Sequence, residues 1–182
     1  MMISLHDGQG TVLTTPKCTL RAWRCGDEVS LTHHANNRKI WLNVKDTFPH
    51  PYTLADAEQW IQRASQERLV RNFAIEVEGS AVGAAGIHQK FDVYRRSAEI
   101  GYWLGEELWG KGIATEAVKA ITDYAFSRFD LLRVSASVFG WNAASMRVLE
   151  KAGYAQEARL RNAVLKDARI IDLVIYSLTR PL

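Results

Sequence analysis

A mixed α+β fold, with strands and helices interleaved along one domain, is what this sequence predicts, and three observations carry that prediction. The first is a strand, a glycine turn and a helix in direct succession. Glu99-Ile-Gly-Tyr-Trp-Leu104 is rich in β-formers and aromatics, Gly105-Glu-Glu breaks it, and Ala117, Ala120, Ile121, Tyr124 and Ala125 recur at helical spacing from about Ile113. The second is a hairpin pattern, Asn72–Val77 and Ala81–His88 around Glu78-Gly79-Ser80. The third is the placing of further helix signals both before and after these strands, near residues 53 and 142. Neither an internal repeat nor a linker interrupts the pattern, so residues 1–182 read as one domain with its core at about 19–178.

Taken in order, residues 1–17 carry Gly8, Gly10 and several Thr with little periodicity, and the first few are expected to fray. Thr19-Leu-Arg-Ala-Trp23 alternates and reads as the first strand. Asp27 is expected to cap a helix from Glu28, with Val29, Leu31 and Ala35 inward. His33 and His34 end it; adjacent residues point to different sides of a helix, so they suit solvent better than one metal. Trp41 to Tyr52 is an aromatic, proline-stiffened loop holding Phe48, Pro49, His50 and Pro51, which either walls a binding site or packs on the core.

Thr53, with Asp56 three later, imitates a capping box, and Ala57, Trp60, Ile61 and Ala64 form the inner stripe of the helix it opens. In the second hairpin strand, Gly83 and Gly86 predict a bulge or close approach of another backbone. Phe91 to Ser97 is a polar connection with Arg95 and Arg96 solvated. After the central helix, Leu131 to Phe139 alternates as a strand, with Leu132, Val134, Ala136 and Val138 on one side. Asn142 and Gly153 bound a short helix that packing through Met146 and Leu149 must hold. Tyr154–Leu160 and Ile170–Leu178, joined through Lys166-Asp-Ala-Arg169, are the last strands.

Composition narrows the function classes. Hydrophobic residues at 47% and charged residues at 24% describe a globular chain. A net charge of +3 with scattered Lys and Arg predicts no nucleic-acid partner. Cys18 and Cys25, the two cysteines, fit neither a zinc spacing nor a disulfide framework. Together with the lack of a membrane-length apolar run or a signal-peptide core, this predicts a soluble cytoplasmic protein with no membrane partner and no metal.

The glycine turn carries the chemistry. A strand that ends in Gly110 and Gly112 and runs into a helix aims unpaired N–H groups and a positive dipole end at one spot, which suits phosphate oxygens, although a plain strand-to-helix connection has the same look. The spacing fits neither G-x-x-x-x-G-K-[ST] nor G-x-G-x-x-G, since Lys111 lies between the glycines and Thr115 stands where a third glycine belongs. A triphosphatase and a Rossmann dehydrogenase are thereby disfavoured.

The turn does resemble the acyl-CoA pyrophosphate loop of the GNAT acetyltransferases, R/Q-x-x-G-x-G/A. It reads Trp109-Gly-Lys-Gly112-Ile-Ala114, with Trp109 where most of the superfamily has Arg or Gln. Downstream, Asn142-Ala-Ala-Ser145-Met-Arg-Val-Leu-Glu150-Lys-Ala-Gly153-Tyr154 is similar to the N-x-x-S-x-x-V-L-E-K-x-G-F/Y signature of the ribosomal-protein N-terminal acetyltransferases, the RimJ/RimL-like branch. The resemblance runs from about Leu20 to Leu178.

It implies a GNAT fold, an about seven-stranded, mostly antiparallel sheet with helices on both faces, whose two central strands splay to admit acetyl-CoA as cosubstrate. Backbone N–H groups of Gly110, Lys111, Gly112, Ile113, Ala114 and Thr115, beside Trp109, would meet the pyrophosphate, with Lys111 adding charge. Backbone edges of Tyr102, Trp103 and Leu104 would pair with the pantetheine arm. Asn142 would bond the pantetheine, and Ser145 would sit near the sulfur and protonate it. Leu149 stands where many members have Tyr, which turns attention to Ser145 as the acid; the alternative is that Asn142 and Ser145 only cap their helix.

Glu99, opening the central strand, is the candidate base or water-orienting residue, with a salt bridge to Arg95 or Arg96 as the alternative and Glu157 a weaker candidate. Val164 stands where the ribosomal-protein enzymes carry an acid, which weakens the carry-over of their acceptor chemistry. The expected activity is direct acetyl transfer to a primary amine, a protein N-terminus or a small molecule, in a ternary complex; an inactive acyl-CoA-binding regulatory module is the alternative. A polyamine site would need a ring of acids, and residues 36–52 offer only Asp46. Homodimers are common in the branch.

Overall fold

The computed structural model describes residues 2–4, 10–67 and 69–180. Its strands are β1 (Met2–Ser4), β2 (Val12–Thr14), β3 (Thr19–Ala22), β4 (Asn72–Val77), β5 (Ser80–Gln89), β6 (Ser97–Leu104), β7 (Arg133–Phe139), β8 (Ala155–Lys166) and β9 (Arg169–Thr179). They form one sheet in the order β1-β2-β3-β4-β5-β6-β7-β9-β8. Two short strands, β1 and β2, extend the expected seven at the amino-terminal edge, where fraying was expected of the first residues. Every pairing is antiparallel except that of β6 with β7.

Helices cover both faces, so the strands are apolar on both sides. On one face lie α4 (Ile113–Arg128) and α5 (Ala143–Lys151), packed over Leu20, Phe73, Ile75, Ile87, Ile100 and Val134. Ala117, Val118, Ala120, Ile121, Tyr124 and Ala125 of α4 are all fully buried there. Burying one Val or Ile is worth about 1.5–3 kcal/mol, so packing more than propensity holds α4. On the other face lie α1 (Glu28–Ala35) and α3 (Leu54–Ser65), with Leu31, Ala35, Ala57 and Ile61 packed on Trp23, Ala74 and Ala81. The alternation of Phe73, Ala74 and Ile75 between the two clusters is the period of two expected of a strand.

Local signals hold where the interaction is local. Thr53 and Asp56 make a reciprocal capping box on α3. Glu78 and Gly79, both at positive φ, form the two-residue hairpin turn from β4 to β5. Gly83 serves as the close approach, since a Cβ there would run into the Trp103 carbonyl, and the register shift at Ile75/Glu76 leaves Val82, beside it on β5, as the extra residue of a bulge. Asn142 caps α5 by accepting from the Ser145 N–H at 3.1 Å, and Leu149 is fully buried beneath it.

Two expectations fail. Asp27 makes no side-chain cap on α1, because its carboxylate is taken by Arg21 in a bidentate pair at 2.7 and 2.8 Å and by the Arg24 N–H. Val29, expected inward, is exposed. A short helix unforeseen in the sequence, α2 (Arg38–Trp41), follows α1, its Asn37 side chain accepting from the Lys39 N–H.

The β8–β9 hairpin is longer than expected and turns at Asp167 and Ala168, both at positive φ. Register breaks at Gln156/Ala158 and Leu160/Val164 interrupt β8. At the first, Glu157 bulges out to pair with Arg133 of β7 and accept from Ser177 Oγ of β9, so it is a structural anchor and not a base.

The Arg133 guanidinium, with the Ser177 hydroxyl, holds the Glu157 carboxyl down to about 2. A depressed carboxyl stabilises the fold above its unfolded value of 4.5 and loses that contribution as pH falls toward 2. In urea titrations across this window, Glu157→Gln is expected to be less stable than wild type at pH 7, with the gap closing by pH 2. A gap that stays constant with pH would refute this.

Candidate functional site

The parallel pairing of β6 with β7 lasts for three residue pairs, Ser97↔Arg133, Ala98↔Val134 and Glu99↔Ser135. Beyond Glu99 the strands part, β6 running on to Leu104 beside β5 and β7 to Phe139 beside β9. A cleft of about 1520 Å³ opens in the gap and is lined from both faces. Gly105 N donates to Val82 O at 2.8 Å, and the Trp103 carbonyl lies against Gly83, so the Trp103 backbone serves β5. Because successive residues of a strand present their backbone groups to opposite edges, those of Tyr102 and Leu104 face the gap. The three-residue edge expected from the sequence is thus two residues, and the Leu104 carbonyl already accepts from Trp109 Nε1 at 2.7 Å.

That bond is what Trp109 does in place of the usual Arg or Gln: it ties the glycine turn to the end of β6. Gly110 and Gly112 both have positive φ, 77° and 79°, which glycine alone adopts without strain. Gly112 begins α4 without a side-chain cap, whereas α3 and α5 are capped by Thr53 and Asn142. The first N–H groups of α4, from Ile113 to Thr115, therefore face the cleft without the partners that capping supplies elsewhere. Ile113 itself is buried as an anchor, and Ala114 and Thr115 are half-buried. Lys111 is exposed, and its carbonyl accepts from Lys17 Nζ at 2.6 Å, a second cation at the turn that the sequence did not flag.

Asn142 and Ser145 sit at the opposite wall, at the start of α5. Asn142 spends its carbonyl oxygen on the cap and keeps Nδ2 unpartnered among the described residues. Ser145 Oγ lies 2.7 Å from the Tyr102 hydroxyl, which is also 3.2 Å from the Ser145 carbonyl. Burial pushes the Tyr102 phenol up to about 12, so it is neutral across the physiological range.

Glu99 is half-buried at the fork, opposite His88 of β5 and Ser135 of β7. The alternative salt bridges are absent: Arg96 pairs with Asp130 at 2.6 Å, and the Arg95 guanidinium donates to the Asp92 carbonyl at 3.3 Å. Glu99 has no ion-pair partner among the described residues. His88, directly across the ladder and lining the same cleft, was missed because nothing in the local sequence joins it to Glu99.

Of the aromatic loop, Phe48 and Tyr52 pack on the core cluster beneath α1 and α3 and also line the cleft. Phe48 and Tyr52 pack together at 4.9 Å and against Trp103, forming an apolar wall on the Glu99 side of the sheet. Trp41 instead covers Lys166 Nζ, 3.7 Å from the ring centroid, and stacks on His50. Lys166 is 1% exposed and donates to Asp46 at 2.6 Å, while Arg38 pairs with Asp167 at 2.7 Å. Residues 37–46 thus cross the open end of the fork as a strap. On the β6 side Asn37 and Lys39 hold Glu106, keeping its carboxyl below the usual range, and on the β7 side Trp141 Nε1 donates to Asn43 at 3.1 Å. His33 and His34 stand outside the cleft lining. No metal-holding group of His, Cys, Asp and Glu occurs among the described residues, and no helix in them is long and apolar enough to cross a membrane.

Comparison with known proteins places this geometry. Residues 17–155 match the family model described as an acetyltransferase (GNAT) domain. The uncharacterised N-acetyltransferase p20 of Bacillus licheniformis is 31% identical over 172 residues, 92% of this chain and 96% of that one. The spermidine N(1)-acetyltransferase of Escherichia coli is 26% identical over 131 residues, covering 71% and 67% respectively. Among solved structures, Mycobacterium smegmatis RimJ in complex with CoA-disulfide superposes with a TM-score of 0.78 at 25% identity, covering 94% of this chain and 83% of that one.

The strap supplies its own test. Removing Asp46 leaves a buried ammonium without its carboxylate, whereas replacing Lys166 by Met keeps the volume and removes the charge. Asp46→Ala is expected to cost about 1–3 kcal/mol in urea unfolding and Lys166→Met clearly less. The reverse order would refute the dependence of the buried ammonium on that carboxylate.

Proposed function

Because the chain belongs to the GNAT acetyltransferases, we propose that it moves an acetyl group from acetyl-CoA directly to a primary amine, a protein N-terminus or a small molecule, within a ternary complex. The observation that carries this reading is the fork itself. Its three-pair seam ends at Glu99, its two walls hold Tyr102 and Ser145, and its far end meets the uncapped start of α4. The pyrophosphate is assigned to the N–H groups of residues 110–115, with Lys111 and Lys17 beside them. The pantetheine is assigned to the Tyr102 and Leu104 edge and to Asn142 Nδ2.

Neutral amine is scarce at pH 7, where an α-amine has a pKa of about 8 and a lysine about 10.4, so a base and fixed positioning are required. Glu99 takes the amine proton, directly or through water, as nitrogen attacks the thioester carbonyl. The C–N bond forms, the C–S bond breaks, and Ser145 gives its proton to the departing thiolate. Phe48, Tyr52 and Trp103 make the acceptor side apolar next to this carboxylate. That favours an amine carried on an apolar or aromatic group over a polyamine. The continuous sheet from β1 to β9 supports one domain over 1–182, and the free thiols of Cys18 and Cys25 support a cytoplasmic setting.

Free-thiol release from acetyl-CoA is the deciding measurement, across N-terminal peptides, lysine peptides, aromatic amines, aminoglycosides and spermidine. Acceptor-dependent release is expected. Gly112→Asp, which sets a carboxylate against the pyrophosphate, should abolish it, and Glu99→Gln should lower kcat by about 10²–10⁴. Tight acetyl-CoA binding without release on any amine would replace this reading with a binding module.

A further inference from the structure

We propose that Tyr102 is a positioning residue for Ser145, donating its phenolic hydrogen bond to Ser145 Oγ so that the serine proton is free to face the leaving sulfur. The inference rests on the acetyl-transfer reading above and on three observations. The hydroxyls are 2.7 Å apart, although Tyr102 belongs to β6 and Ser145 to α5, on opposite walls of the fork. The Ser145 backbone is pinned, since its N–H is held by Asn142. The phenol is largely enclosed, as Tyr102 packs against the main core, and its one further hydrogen-bond partner among the described residues is the Ser145 carbonyl at 3.2 Å.

A phenol has one proton and here two acceptors on one residue. If it donates to the carbonyl, the serine O–H turns toward the phenol and away from the cleft. If it donates to Oγ, the serine O–H is released to the cleft. The second arrangement also answers the charge that develops. As the C–S bond breaks, Ser145 passes its proton to sulfur, an S–H bond forms, and the electron pair of the broken O–H bond stays on Oγ. Tyr102 stabilises that oxygen through its hydrogen bond, and Oγ regains a proton from solvent as Glu99 releases the amine proton to it. The burial that keeps the phenol neutral makes it a donor throughout the physiological range.

Steady-state kinetics on Tyr102→Phe, which removes only the hydroxyl, test the proposal with the amine that the acceptor panel identifies. With one hydrogen bond to a developing charge lost, kcat should fall by about tenfold or more while the KM for acetyl-CoA stays within twofold. In a Ser145→Ala background the same change should cost nothing further, because the residue it acts through is gone. Thermal unfolding of each variant reads any damage to the core separately. A kcat within twofold of wild type would overturn the proposal, as would a loss carried by KM or one that persists in the Ser145→Ala background. Absence of turnover in the wild-type protein on every amine would instead defeat the acetyl-transfer reading on which it rests.

Discussion

Everything distinctive in this molecule depends on how soon one parallel pairing ends. β6 is committed to β5 along its length, and β7 to β9 along its own, so each is half of a rigid antiparallel sheet. Among the described residues, the three pairs at 97–99 with 133–135 are the only strand pairing between the halves. Twist carries two such halves apart once the seam stops. The strands then hold backbone groups that neither wall can satisfy, and the helices that follow them, α4 and α5, both begin at the rim of the opening. A longer seam would close the gap and leave the same side chains with nothing to act on.

The opening separates two kinds of chemistry by face. Lys17, Lys111 and the bare N–H groups of α4 gather positive potential on one side. Glu99, His88 and the aromatic wall of Phe48, Tyr52 and Trp103 occupy the other. Only the fork joins them. The strap over residues 37–46, tied to Glu106, Trp141, Lys166 and Asp167, braces the two halves at the end where the seam cannot.

How much of this could be read in advance follows the range of each interaction. The Thr53–Asp56 box, the Asn142 cap, the Glu78-Gly79 turn and the glycines at 110 and 112 act within a few residues, and the sequence shows them. Asp27 looked like a cap because Arg21, only six positions back on β3, gives no periodic signal that its guanidinium turns onto this carboxylate. Tyr102 and Ser145 are 43 positions apart, and Lys166 and Asp46 are 120 apart, distances over which no periodicity speaks. The length of β8 was hidden for a different reason. Most of that strand is exposed, so it lacks the alternation by which a half-buried strand is recognised.

That exposure has a further consequence. A twelve-residue edge strand offers a row of free N–H and C=O groups on which another chain could assemble into a continuous ladder. β8 is broken by two register shifts, by Asn162 at positive φ, and by the Arg159–Asp172 ion pair beside it. Each interruption shortens the stretch that a foreign strand could follow in register. The irregularities that the exposure of β8 allows are therefore also its protection against aggregation.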